Sequence, residues 1–288
     1  MQKLRHILCP VDFSPVSYEA VEKASFLAQL LQADLTLLHV INVLPQSFGV
    51  LRGDDASSQH LMEEVTDKAR TLLRETKQRY IPYAVSSKSL IRTGRVEDEV
   101  IAAAQALNTD LLVIPSRGTT YEPLIGKILR DAPCPVLAYQ CLPLEAGQTE
   151  RPKGFRRVLV ALDEEGRLSG LEDALMSYLS FMGPEVYLLA VGQPDGTPQD
   201  LESLRGQMEA EGERLIAQGA GPIHYRIMMS HSAANQIQEV ARATRCDLIL
   251  MHSTSADASR ATEVNPATQQ VIRSSELPVL TQRRLHKA

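Results

Sequence analysis

The chain has 288 residues, 44% of them hydrophobic and 5% aromatic, no Trp, and a formal net charge of −5. That is enough apolar material to bury a core without disulfide staples, and Val, Ile, Leu and Ala must fill it. With 15 basic and 18 acidic residues up to Glu150, and 15 and 17 after it, neither half has the basic excess that nucleic acid requires, and no Lys/Arg cluster suits an anionic membrane surface.

In chain order, the first apolar run lies near 5–11, holds Cys9 and ends at Asp12. It is too short for an export signal, and no later run approaches the roughly 18 residues of a spanning helix. The expectation is a cytoplasmic protein in a reducing compartment, with Cys9 and Cys246 as small buried hydrophobes. Ser14 followed by Pro15 is N-cap chemistry and opens a helix through "VSYEAVEKASFLAQLLQ". A strand near 34–41 follows, then a helix with Leu61, Val65, Ala69, Leu72 and Leu73 on one face. Strands near 83–91, 110–115 and 135–140 complete the first half. The polar, Gly- and Pro-bearing stretch 142–154 lacks periodicity and reads as a linker between units 1–141 and 155–288. Beyond it, strands fall near 156–162, 185–191, 223–230, 247–251 and 278–281.

The second half repeats the first. "HILCPVDFSP" at 6–15 and "RVLVALDEEG" at 157–166 are both apolar strands ending on an aspartate, Asp12 and Asp163. "RVEDEVIAAAQALNTDLLVIPSRG" at 95–118 aligns without a gap on "SAANQIQEVARATRCDLILMHSTS" at 232–255, setting Asp110 on Asp247 and Val113 on Leu250. Each copy closes on a proline-led strand, "PCPVLAY" and "ELPVL".

Alternating strands and helices predict an α/β fold: two tandem doubly wound domains, each with a five-stranded parallel sheet and helices on both faces. Ligands of such sheets bind beyond the carboxyl ends of the strands. Asp12, Val40 and the Ser116-Arg117-Gly118 turn therefore belong to one rim. Asp163, Val191, His252, Ser253 and Ser255 belong to a second.

"PVDFSP", "GRVEDEVIAAAQALNTDLLVI", "SRG" and "DAPCPVLAY" resemble a universal stress protein domain, and the two copies resemble the tandem form of that family. The resemblance covers nearly the whole chain apart from the linker and termini. It implies strand order 3-2-1-4-5 in each half. In members that bind ATP it implies a G-x2-G-x9-G-[ST] loop after strand four, whose backbone N–H groups and hydroxyl hold phosphates. It also implies an aspartate after strand one on the nucleotide, here Asp12, and backbone groups near Val40 on adenine. Single domains of the family commonly dimerise through their last strands, so Pro135–Tyr139 and Pro278–Gln282 are expected to pair within this chain as an intrachain pseudo-dimer. A further homodimer of whole chains stays open.

Each copy departs from that loop. In the first, Pro115 replaces the leading glycine and removes a donor. Lys127 stands at the hydroxyl position, and the segment is about six residues shorter than the usual loop. Counted back from Ala132-Pro133, the helix starts at Glu122-Pro123, where a glutamate repels phosphate. In the second, His252-x2-Ser255-x9-Asn265-Pro266 keeps the spacing but replaces every glycine, with Asn265 as N-cap and Pro266 at the first helical position.

Asp12 carries two readings of equal weight, nucleotide contact and helix-entry residue. Arg117 reads as a surface arginine, Lys127 and Arg130 as a solvated helix face, and His39 as structural. His231 and His252 are placed to face the second rim, where a pH-sensitive pocket is one reading. The seven histidines have no metal-ligand spacing, and no catalytic serine arrangement or paired general acid and base is visible. The leading expectation is a non-enzymatic stress-response or regulatory protein with a degenerate ATP loop in both halves and no cofactor. The alternative is ATP or AMP binding by the first half alone through Asp12, Val40, Ser116, Arg117 and Gly118. A weak nucleotide hydrolase comes third.

Overall fold

The computed structural model describes residues 4–42, 56–116, 122–140, 154–162, 182–192, 194, 197–253 and 263–282. The first strand, β1 (His6–Pro10), is apolar and buried after His6 and leads through Asp12 into α1 (Pro15–Leu31). Ser14 caps α1: its hydroxyl accepts from the Ser17 N–H at 3.2 Å, and Pro15 supplies the preset first turn. Ala20, Val21, Ala24, Leu27, Ala28 and Leu31 form the buried face of α1, and Gln32 ends it in the left-handed region. The first half continues through β2 (Asp34–Asn42), α2 (Ala56–Tyr80), β3 (Ser87–Gly94), α3 (Val96–Ala106) and β4 (Leu111–Pro115). A 3₁₀ turn at Glu122–Leu124 then enters α4 (Ile125–Asp131), and β5 (Val136–Tyr139) closes the half. The second half shows β6 (Arg157–Ala161), β7 (Glu185–Gly192), α5 (Pro198–Ala217), β8 (Ile223–Met229), α6 (Ala233–Ala243), β9 (Leu248–His252), α7 (Pro266–Ser274) and β10 (Val279–Gln282).

All ten strands form one sheet in the order β3-β2-β1-β4-β5-β10-β9-β6-β7-β8. Each half therefore has order 3-2-1-4-5, and every neighbouring pair is parallel except β5 with β10. That pair is antiparallel, with Val279 opposite Ala138, Leu280 opposite Leu137 and Thr281 opposite Val136. The expected pairing of the two closing strands is thus present within one chain. The core runs across this seam on both faces. On one face Ile7, Cys9, Leu37, Val113 and Leu137 continue into Leu280, Leu250 and Val160. On the other, Leu8, Leu38, Leu112 and Val136 continue into Val279, Ile249 and Leu159.

Two first-half expectations are corrected. The third strand lies at Ser87–Gly94 rather than 83–91, because α2 runs to Tyr80 and a turn follows, in which the Val85 N–H bonds the Pro82 carbonyl at 2.9 Å. Only Val85 of the predicted apolar start is buried, and Tyr83 stands fully exposed. The apolar face of α2 is also only half used. Ala69 and Leu73 are buried, whereas Leu61 and Val65 are 52% and 39% exposed. At 25 residues α2 is about 37 Å long, against roughly 26 Å for the eight residues of β3. Its first turns therefore overhang the sheet.

The repeat extends to individual hydrogen bonds. Asp110 Oδ2 accepts from the N–H groups of Arg5 and His6 at 2.8 and 2.9 Å, and Asp247 accepts from Arg156 and Arg157 at 2.8 and 3.1 Å. Each aspartate opens the fourth strand of its half and fixes the start of the first. Asp110→Ala or Asp247→Ala leaves two strand-entry donors without their acceptor. Each is expected to lower unfolding free energy by about 1–3 kcal/mol, read from urea denaturation midpoints. A midpoint unchanged in both variants would refute this account.

Candidate functional site

The two rims lie on opposite edges of the sheet, because the antiparallel seam reverses the strand direction of the second half. On the first rim, β1 stops at Pro10 opposite Leu38, while β2 continues to Asn42 paired only with β3. The Val11 N–H bonds the Leu38 carbonyl at 2.8 Å, so Val40, two residues on, turns its peptide groups to the same side but past the end of β1. The second rim repeats this step: the Leu162 N–H bonds the Leu189 carbonyl at 2.8 Å, which gives Val191 the place of Val40. Asp163 would follow Leu162 as Asp12 follows Val11. It lies outside the described residues, as do Arg117, Gly118 and Ser255.

Asp12 begins a tight entry to α1. Its Oδ1 accepts the Ser14 N–H at 3.1 Å, and the next residue, Phe13, sits at φ 65°. A left-handed phenylalanine is strained and must be held by its surroundings. Its ring lies 4.5 Å from that of His39, whose Nδ1 donates to the Val11 carbonyl at 2.8 Å. His39 thus has the structural role expected of it, fastening the loop that presents Asp12.

Ser116 is buried at the end of β4. Its N–H bonds the Tyr139 carbonyl at 2.9 Å and its hydroxyl faces Gln140 Oε1 at 3.5 Å. Two cations on the helix behind the shortened loop are engaged. Lys127 Nζ lies 2.5 Å from Asp98 and 3.8 Å from Glu97, and Arg130 pairs with Asp131 at 3.0 Å. The hydrogen bond from Lys127 holds the Asp98 carboxyl below its usual range. The helix behind the loop, α4, has seven residues, and no side chain caps its start.

On the second rim Asn265 caps α7 as expected, its Oδ1 accepting the Ala267 N–H at 2.9 Å with Pro266 leading the helix. Its own N–H bonds the Ser253 carbonyl at 2.8 Å, and the Thr268 hydroxyl donates to the His252 carbonyl at 2.5 Å. His252 is 6% exposed, and neither ring nitrogen has a hydrogen-bond partner among the described residues. Burial pushes its pKa down to about 4, so the ring is neutral at pH 7 and offers no positive charge to an anion.

Burial raises the thiol pKa of Cys134 to about 12 and of Cys246 to about 11, and that of Cys9 further, so none supplies a thiolate. No grouping of three or more His, Cys, Asp or Glu side chains suits a metal ion among the described residues. A titratable cluster does form at the far edge of the second half. There Glu185 accepts from the Tyr187 hydroxyl at 2.8 Å and from Arg157 Nε at 2.9 Å. Those bonds, Tyr187's foremost, hold its carboxyl below the usual range, opposite to what a general acid needs.

A model of the universal stress protein family matches residues 3–140 and again 154–283. The chain belongs to the universal stress protein family. It is similar to universal stress protein A homolog 1 of Coxiella burnetii, 32% identical over 144 residues, which takes in 46% of this chain and 94% of that one. A universal stress protein of Synechocystis sp. aligns at 20% identity over 308 residues, 96% of this chain and 99% of its own length. The solved universal stress protein of Archaeoglobus fulgidus DSM 4304 superposes with a TM-score of 0.72 at 21% identity, covering 98% of this chain and 97% of the other. This is a stress-response protein of the tandem universal stress form. Among its described residues no helix is long and apolar enough to cross a membrane.

Gln140 escaped the sequence reading, as did the Phe13 strain. Gln140 is buried, and its Nε2 donates to the Ser275 carbonyl of the other half at 2.6 Å. A polar residue after a short strand carries no local signal of such a bond.

His252 sets an acid limit on the second half. Its folded pKa of about 4 lies below the 6.5 of a free imidazole, so the unfolded chain binds the proton more readily. Its contribution is therefore fully present above about pH 6.5, falls as pH drops through that window and levels off below about 4, a loss of roughly 3 kcal/mol. His252→Leu is expected to flatten this part of the pH–stability curve without loss of stability at pH 7, measured by thermal melts from pH 7.5 to 4. An unchanged acid slope in the variant would contradict it.

Proposed function

We propose that this universal stress protein acts without catalysis, as a regulatory or protective protein working by interaction, with the family's ATP loop degenerate in both halves. The observation that carries this reading is the state of the residues at the two loop positions. Lys127 and Arg130, the cations beside the first loop, are spent on Asp98 and Asp131. The second loop begins on His252, a buried and neutral imidazole. Pro115 and His252 stand where the leading glycines would, and among the described residues neither place offers an unpaired cation to a triphosphate. No cofactor is required, and any partner is a protein. Equilibrium dialysis against ATP, ADP and AMP is expected to show no stoichiometric binding at micromolar concentration, and phosphate release from ATP is expected to stay at background. Stoichiometric micromolar binding would overturn the reading.

One observation favours a second reading, ATP or AMP binding in the first half alone. The peptide groups of Val40 reach past the end of β1 beside Asp12, where an adenine edge could meet them. On this reading Asp12→Ala and Gly118→Val each weaken nucleotide binding by about tenfold or more, the equivalent of one or two hydrogen bonds. Affinity unchanged in both variants would dismiss it.

A further inference from the structure

Helix α7 touches both rims. At its start, the Asn265 backbone N–H bonds the Ser253 carbonyl at 2.8 Å and the Thr268 hydroxyl donates to the His252 carbonyl at 2.5 Å, which ties it to the end of β9 on the second rim. At its end, the carbonyl of Ser275, the C-cap, accepts from Gln140 Nε2 at 2.6 Å. Gln140 follows Tyr139, whose carbonyl holds the Ser116 N–H at 2.9 Å, and its Oε1 faces the Ser116 hydroxyl at 3.5 Å, on the first rim. This follows from the seam. A crossover helix runs from the carboxyl edge of its own half to the opposite edge, and the antiparallel β5–β10 pairing makes that opposite edge the carboxyl edge of the other half. Because β10 is the seam strand, the helix that feeds it arrives beside the first rim.

The nine residues of α7 span about 13 Å. Thr268, Val271 and Ile272 are its buried face. Two bonds lash it to α6: Gln238 Nε2 to Ser274 Oγ at 2.7 Å, and Gln270 Nε2 to Asn235 Oδ1 at 3.2 Å. Such a helix moves as a body rather than bending between its ends. A return contact runs the other way, from the Ser253 hydroxyl to the Leu129 carbonyl of α4 at 3.4 Å.

We infer that α7 couples the two rims, so that a molecule seated at one rim changes the stability of the other. The functional value of this coupling rests on the reading of the rims as interaction sites; the coupling itself does not. Gln140 and Thr268 are its positioning residues, one toward each end, through the side-chain bonds to the Ser275 and His252 carbonyls. By linkage the effect is reciprocal.

The test uses the full chain with no ligand added, so its outcome is independent of nucleotide dialysis. Amide hydrogen exchange is followed by NMR in the parent, Gln140→Met, Thr268→Val and the double variant. Gln140→Met is expected to speed exchange of the Asn265 and Ala267 amides by about fivefold or more relative to Leu35, a strand amide remote from the seam. Thr268→Val, which removes the bond to the His252 carbonyl, is expected to speed exchange of the Ser116 amide in the same way. The double variant should fall short of the product of the single effects by about threefold or more. Measuring against Leu35 removes any general loss of stability in a poorly folding variant, and the two single variants probe the same helix from opposite ends. Acceleration confined to the rim that was altered, or single effects that multiply without interaction, would show the rims to be independent.

Discussion

Everything in this molecule depends on the pairing of β5 with β10. Each is a four-residue strand at what would otherwise be the open margin of a five-stranded sheet. An open margin leaves a row of unpaired peptide groups and half-covered apolar side chains. Three register pairs close both margins at once and bury Leu137, Ala138 and Val279 almost completely. The two cores then run on as one above and below the sheet. The aromatic surroundings of Lys23 belong to the same junction: its Nζ lies 4.1 Å from the ring centre of Phe155, at the entry to the second half, and 5.2 Å from that of Tyr139 on β5.

The sign of that pairing has consequences well away from it. A parallel seam would set both rims on one edge of the sheet. The antiparallel seam sets them on opposite edges and brings the closing helix of each half to the other's rim. The Gln140–Ser275 and Ser253–Leu129 contacts are products of that geometry. The two halves thereby share structural elements at the places that follow the fourth strand of each.

Much of the architecture was legible because it rests on patterns short in sequence. Buried parallel strands are continuous apolar runs, and Ser14-Pro15 and Asn265-Pro266 announce helix starts through the chemistry of the cap alone. The gapless alignment of Asp110 on Asp247 matched two equivalent clamps at the strand starts. The misplaced third strand and the half-exposed α2 share one cause. Apolar residues such as Tyr83, Leu61 and Val65 fit a strand or a helix face locally, but burial depends on how far the neighbouring elements extend. The site was legible as positions: Asp12, Val40, Ser116, Val191, His252 and Asn265 do stand at or beside strand ends in the sheet. Its bonding was not, since Phe13's left-handed backbone and Gln140's bond to Ser275 are set by atoms distant in the chain.

The sequence by itself determined the α/β class, the tandem repeat, the caps and the identity of the residues at each rim, because local periodicity and side-chain chemistry settle those. Tertiary structure alone decided that α7 bridges the two rims, that Lys127 and Arg130 are already paired, and that His252 is sealed away from water. Those facts depend on which surfaces meet when the sheet closes, and a one-dimensional chain does not contain the distance between residues 140 and 275.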